Sequence, residues 1–131
     1  MKQISIVSDN RAGVMAEITD CLAKENINID SIDAETFGDY AVTILTVNKY
    51  DLALQNLRQI PGIKCITEDA ILIRLKDEPG ALAKIAMRFK DANINIRSLR
   101  FIKRDDTNGL VAISTDRTQE ALDLVKDVLV S

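Results

Sequence analysis

Histidine and tryptophan are missing from this chain, and aromatic residues of any kind make up only 4% of it. Without histidine, His-based acid–base catalysis and His-ligated zinc sites are excluded. Only two cysteines are present, Cys21 and Cys65, far apart and outside any CxxC pair. Cys21 falls on the apolar side of a helical pattern and Cys65 inside the apolar run IKCIT, so both read as buried thiols of a cytoplasmic protein. A net charge of −3 and the scarcity of stacking rings leave no footprint for nucleic acid. No apolar run approaches the roughly 18 residues of a membrane span. The opening MKQISIVSDN alternates like a strand and lacks the apolar core of a signal peptide. GxSxG, P-loop and Gly-rich dinucleotide motifs are also absent. The expectation is a protein with no catalytic activity, no metal or cofactor, and no nucleic-acid or membrane partner.

What is there is a repeat. With 131 residues, 47% of them apolar, the chain is long enough for one average domain or two very small ones. NINIDSI at 26–32 returns as NINIRSL at 93–99, and the same offset of 67 residues aligns DNRAGVMAEITDCLAKENINIDSI with KDEPGALAKIAMRFKDANINIRSL. Gly13 meets Gly80, Ala16 meets Ala83, Ile18 meets Ile85, and Ile4 and Ile6 meet Ile71 and Ile73. A gap-free match of this length marks an internal duplication, with units at 1–69 and 70–131.

Each unit can then be read once. QISIV and AILIRL are β-type runs, followed by a polar turn ending in Gly. Helical patterns come next: Val14, Ile18, Cys21 and Leu22 share a face in the first unit, and Leu82, Ile85, Ala86 and Phe89 in the second. Pro79 suits the first turn of its helix, and Asn26 and Asn93 stand where those helices stop, in the left-handed cap conformation that Asn tolerates. Strands with Ile32 and Ala34, or Leu99 and Phe101, on alternate positions lead to turns at FGD and DDTNG, where Asn-Gly is a hairpin signal. YAVTILTV and LVAIST are third strands. Second helices are expected after Asn48 and Asp116, which have capping-type partners at Asp51 and Gln119, with Leu54, Leu57 and Ile60 lining one and Leu122, Val125 and Leu129 the other. PG at 61–62 precedes IKCIT, a fourth strand.

The order β-α-β-β-α-β, then β-α-β-β-α, predicts an α+β fold: two ferredoxin-like (βαββαβ) units in tandem. Each has an antiparallel sheet ordered 4-1-3-2 with helices on one face, and the second lacks a clear last strand. Either its tail bends back briefly as that strand or the edge of its first strand stays open. An open edge invites pairing, so a homo-oligomer, a dimer, is expected.

DEPGALAKIAMRFKDANINIRSL resembles the ACT domain, in its run of strand, Gly turn, helix with G-x-x-A-x-I, NINI and strand. DNRAGVMAEITDCLAKENINIDSI resembles it too, with Ala12 in place of the proline. Together they identify the chain as a free-standing tandem ACT protein. The resemblance implies a regulatory module that binds an amino acid or similar small ligand. An alternative is a regulatory subunit controlling a separate amino-acid biosynthetic enzyme, which would be its metabolic enzyme partner.

The Gly turn at a helix N-terminus offers unpaired N–H groups and positive potential to a carboxylate. The expected ligand-binding residues are therefore Asn10, Ala12, Gly13, Val14 and Met15 in one turn and Asp77, Pro79, Gly80, Ala81 and Leu82 in the other. Asn28 with Ile29, and Asn95 with Ile96, open the second strands at the opposite end of their units. They either bond locally to backbone or, as family pairing of second strands implies, serve the turn of the other unit, Asn95 facing the first turn and Asn28 the second. An Asp at 77 would repel a ligand carboxylate, so the first turn is expected to bind better. Ser8 and Leu75 stand where some serine-binding members carry His, so serine specificity is not implied.

Charge divides with the repeat. Residues 1–69 hold 6 basic and 11 acidic side chains, residues 70–131 hold 11 and 9. Asp30 and Asp33 correspond to Arg97 and Arg100, an acid–base complementarity that favours pairing unlike units.

Overall fold

The computed structural model describes residues 2–67 and 70–130. The chain divides into two compact units, 1–68 and 69–131.

In the first, β1 (Gln3–Asp9), α1 (Val14–Lys24), β2 (Ile29–Phe37), β3 (Tyr40–Val47), α2 (Tyr50–Leu57) and β4 (Ile63–Ile66) form an antiparallel sheet ordered β2-β3-β1-β4. The alternation of β1 puts Ile4 and Ile6 on the helix side. There they pack with Leu45 and Val47 against Val14, Ile18 and Leu22 of α1 and Ala53, Leu54 and Leu57 of α2. Repetition of apolar residues every four positions along α1 makes that stripe.

The second unit repeats the plan with β5 (Ala70–Lys76), α3 (Ala81–Asp91), β6 (Ile96–Arg104), β7 (Asn108–Thr115) and α4 (Thr118–Leu124), its sheet ordered β5-β7-β6. Ile71, Ile73, Val111 and Ile113 meet Ile85, Phe89, Ala121 and Val125. Ala86, expected on this face, is exposed: the stripe runs through Ala81, Ile85 and Phe89, and one further residue turns the side chain about 100° away. Leu129 is also displaced from its expected place. α4 ends at Leu124, and Leu129 instead bridges Ile73, with the Arg74 N–H donating to the Val128 carbonyl at 2.9 Å and the Val130 N–H to the Leu72 carbonyl at 2.8 Å. The tail therefore supplies a one-bridge fourth strand on the edge of β5. Arg88 holds that tail, donating to both oxygens of Asp127 at 2.7 and 2.9 Å and to the Leu124 carbonyl.

Asn26 and Asn93 have φ of 56°, the left-handed value expected of them. After α1, the Asn26 N–H donates to Ala23 and the Ile27 N–H to Leu22; after α3, Asn93 donates to Lys90 and Ile94 to Phe89. Both are Schellman closures, and the buried pairs Leu22/Ile27 and Phe89/Ile94 are the apolar contact that accompanies them.

Asn48 and Asp116 do not cap the second helices, which start at Tyr50 and Thr118 without any side-chain cap. The Asn48 Oδ1 accepts from the Asn28 N–H at 2.9 Å, and the Asp116 Oδ1 from the Asn95 N–H at 3.1 Å. The β6–β7 turn also falls earlier than Asn-Gly suggested. Asp105 makes it, its carboxylate accepting from the N–H groups of Asn108 and Thr107, bonds that hold its pKa low. Gly109 lies in β7, where a Cβ would stand 3.0 Å from the Phe101 ring. Among the described residues no helix is long and apolar enough to cross a membrane.

Candidate functional site

The β1–α1 and β5–α3 turns are built alike. Gly13 and Gly80 occupy the N-cap positions with φ of 89° and 87°, and no side chain caps either helix. Pro79 precedes Gly80 and so lies outside α3 rather than in its first turn. The Ala81 N–H donates to the Glu78 carbonyl at 3.3 Å, making a type II turn with Pro79 and Gly80 as its central residues. A Cβ on either glycine would meet nothing within 4 Å. Close approach of another protein atom is therefore not what requires them; the backbone conformation is. Gly13→Ala is expected to cost about 1–2 kcal/mol, the strain of a left-handed alanine, read as a lower urea midpoint with an unchanged slope.

The open turn exposes Asn10, Ala12 and Gly13, while Val14 is buried and Met15 half-buried. Val14 thus offers a ligand its backbone N–H, its side chain being spent in the core. Asn10 is tied to the β2–β3 hairpin: its N–H donates to the Asp39 carbonyl at 2.9 Å and its Nδ2 to the Gly38 carbonyl at 3.2 Å. Next to it, Arg11 and Glu17 form an ion pair at 2.6 Å, half-exposed.

In the second unit Asp77, Pro79 and Gly80 are exposed, and Ala81 and Leu82 pack against the core. The Asp77 N–H donates to the Thr107 carbonyl at 2.8 Å, the counterpart of the Asn10–Asp39 bond. Its carboxylate lies 3.7 Å from the Arg104 Nε, and that guanidinium stands 4.0 Å over the Phe101 ring. An exposed pair at this distance moderates the carboxylate's charge without cancelling it. A surface cleft of about 440 Å³ adjoins this turn, lined in part by Leu75, Lys76, Glu78, Ala81 and Asn108.

Asn28 and Asn95 are exposed, with Ile29 and Ile96 half-buried against their own cores. Their backbones make the local bonds expected of a strand start. Besides the bonds to Asn48 and Asp116 above, the Asn28 and Asn95 carbonyls accept from the Asn48 and Asp116 N–H groups, each at 3.2 Å. The side-chain amides remain on the surface. Within a unit this foot lies at the far end of the sheet from the Gly turn, so no single unit brings the two halves of the expected site together. Gly38, Arg104 and the Asp105 turn were not anticipated beside the site, because each reaches it through a hairpin contact with no local sequence mark.

An AHAS small subunit-like ACT domain matches residues 4–66, and an ACT domain matches residues 70–129. Among curated proteins none matches the chain. Among solved structures, the chain is similar to a Bacteroides thetaiotaomicron protein at 24% identity, covering 98% of this chain and 90% of that one, with a TM-score of 0.49. It is similar to the regulatory subunit of aspartate kinase from Thermus thermophilus at 21% identity (97% and 91% covered, TM-score 0.45). The acetolactate synthase small subunit from Thermotoga maritima is likewise similar, at 14% identity (99% and 89% covered, TM-score 0.46).

Proposed function

The chain belongs to the ACT family, as two ACT domains in tandem, and from that premise we propose that it is a non-catalytic regulatory protein that binds an amino acid at its Gly turns. The observation that carries this reading is the pair of uncapped helix N-termini behind Gly13 and Gly80, each with open space where a side chain would be. First-turn N–H groups and the helix dipole suit a ligand carboxylate. An Asn amide donates to a carboxylate and accepts from an ammonium, a pairing that matches both ends of an amino acid. The proposed ligand set joins Asn10, Ala12, Gly13, Val14 and Met15 to Asn95 and Ile96 of a facing domain. The second set joins Asp77, Pro79, Gly80, Ala81 and Leu82 to Asn28 and Ile29.

The first site is the stronger of the two. Its turn presents Asn10, whereas Asp77 sets a carboxylate where the ligand's own would sit. A thermal-shift screen of the proteinogenic amino acids tests the reading, because a ligand bound only by the folded state adds about 2.7 kcal/mol at a hundredfold excess over its Kd. One amino acid, or a related few, is expected to raise the transition; no shift with any of them overturns the reading. Calorimetry then ranks the sites. Asn10→Ala is expected to abolish most binding and Asp77→Ala to spare it, and the reverse pattern contradicts the ranking.

A second reading has an observation of its own. The first unit matches the ACT type of an AHAS small subunit, which fits a regulatory subunit that docks on a separate amino-acid biosynthetic enzyme. It predicts co-purification of that enzyme with the tagged chain and no thermal shift from free amino acids.

A further inference from the structure

The two units close the outer edge of their first strand differently. In the first, β4 pairs with β1 over four positions, from Ser5↔Ile66 to Ser8↔Ile63, and Ile63 packs against the core at the turn end of the sheet. In the second, the tail meets β5 at one bridge, and its backbone bonds reach only from Leu72 to Arg74. Counting back along the tail from Leu129, the place opposite Leu75 falls to Asp127. That residue carries no apolar side chain into the gap; its carboxylate pairs with Arg88 at 2.7 Å. The cleft of about 440 Å³ opens there, walled by Val128 of the tail and by Lys84 and Arg88 of α3, over Leu75 and Ile85.

The duplication isolates what is particular to this cleft. Four cations line it, Arg74, Lys76, Lys84 and Arg88. At the same positions of the repeat the first unit has Val7, Asp9, Glu17 and Cys21. Among the described residues Glu78 is the one acid in the lining, and its counterpart is Arg11. The sign of the surface is thus reversed where the fourth strand is cut short. Two of the cations have work within the unit: Arg88 holds the tail, and the charge of Arg74 reaches the Asp105 carboxylate. Neither task accounts for Lys76 and Lys84, which are exposed and make no ion pair among the described residues.

We propose that this cleft binds a small aliphatic dianion, a dicarboxylate or an alkyl phosphate, with its charges on Lys76 and Lys84 and its carbon chain over Leu75, Ile85 and Val128. The volume lies within the range of small-molecule sites. Cations of one sign around a low-dielectric floor concentrate the field that draws an anion in, and each charged contact formed there is a strong hydrogen bond. The floor is aliphatic, so it covers a hydrocarbon chain. With no aromatic side chain in the lining, it has nothing on which a nucleotide base would stack. A free amino acid fits poorly as well, because its ammonium would meet the same cations. The cleft lies on the tail side of β5, the edge away from β6. Of the residues proposed for the Gly turn it includes only Ala81, so it is a second site for a different class of ligand.

Titration calorimetry of the full chain at about 0.1 M salt tests the proposal with octanedioate and hexyl phosphate as probes, and octanediol as the uncharged control. Saturable binding is expected of one probe or both. Octanedioate alone identifies a dicarboxylate site, and hexyl phosphate alone a phosphate-ester site. Octanediol is expected to bind at least about tenfold more weakly than the better probe. Lys76→Gln and Lys84→Gln, both at exposed positions, are each expected to raise the Kd about tenfold, while Lys49→Gln in the first unit leaves it unchanged. A bound probe is also expected to slow exchange of the Val130 N–H, which holds the tail to Leu72. No binding of either probe overturns the proposal, as does binding that both lysine variants leave unaltered. Displacement of the probe by an amino acid that shifts the thermal transition would merge the cleft with the Gly turn and overturn it too. A failed amino-acid screen leaves the calorimetric result standing.

Discussion

Phe89→Ala is expected to remove about 3–5 kcal/mol from the stability of the second unit, the usual cost of truncating a buried phenylalanine. Phe89 is 1% exposed and is the largest apolar side chain in a core otherwise made of Ile, Val, Leu and Ala. It also stands at the end of α3, where its carbonyl receives the Ile94 N–H at 2.9 Å and its ring packs where that closure brings Ile94 back. Truncation therefore opens a cavity and loosens the turn that aims β6. A unit of this size has only a few kcal/mol in hand, at roughly 0.05–0.15 kcal/mol per residue. The expected result is loss of amide protection in β5, α3 and β7 under native conditions, read by hydrogen exchange resolved along the chain. A cost below about 1 kcal/mol would contradict the packing described for this core.

The duplication makes most of the fold legible in the amino-acid sequence, because the same physical demands recur at homologous positions. Two asparagines in the left-handed conformation, two glycines at helix N-caps and two stripes spaced by four residues are each marked by local sequence. The features that are not legible there depend on partners distant in the chain. Asn48 and Asp116 have the chemistry of helix caps, but the N–H groups of Asn28 and Asn95, about twenty residues upstream, reach their side chains first. Asn108-Gly109 has the chemistry of a hairpin turn. Asp105 nevertheless closes the chain earlier, and Gly109 falls within β7, close beneath the Phe101 ring. Leu129 continues a helical spacing, yet the unpaired edge of β5 takes the tail as a strand. That tail covers the β5 edge, so an open first strand no longer argues for an oligomer. The outer edges of β2 and β6, and the opposite charges along them, are visible only once strand order is known. For the site, residue types and the turn are legible. The ties of Asn10 to Gly38 and of Asp77 to Arg104 are not, because hairpin geometry brings them together.

Cys65 is expected to react with a thiol reagent at pH 8 about a hundredfold more slowly in the folded chain than in the unfolded one. The residue lies on β4 opposite Ile6 and packs against the first unit's core. That burial pushes its thiol up from the ordinary 9.0 to about 11, with nearby Arg58 opposing the rise and Cys21 adding to it. Each unit of pKa is a factor of ten in thiolate, the reactive form, and limited access slows the reaction further. Cys21 is shifted upward as well, chiefly by burial, and both cysteines are free. The same shift fixes the sign of an alkaline effect on folding. A thiol whose folded pKa is raised binds its proton more tightly in the native state. Its contribution is complete below pH 9 and is lost as pH climbs toward about 11. Urea midpoints measured across that window are expected to fall for the native chain, and to fall less for Cys65→Ala, whose lower starting stability reflects the cavity it leaves. Equal slopes in the two proteins would show that the decline comes from other groups. A native-state labelling rate equal to that of the unfolded chain would show that β4 does not hold Cys65 against the core.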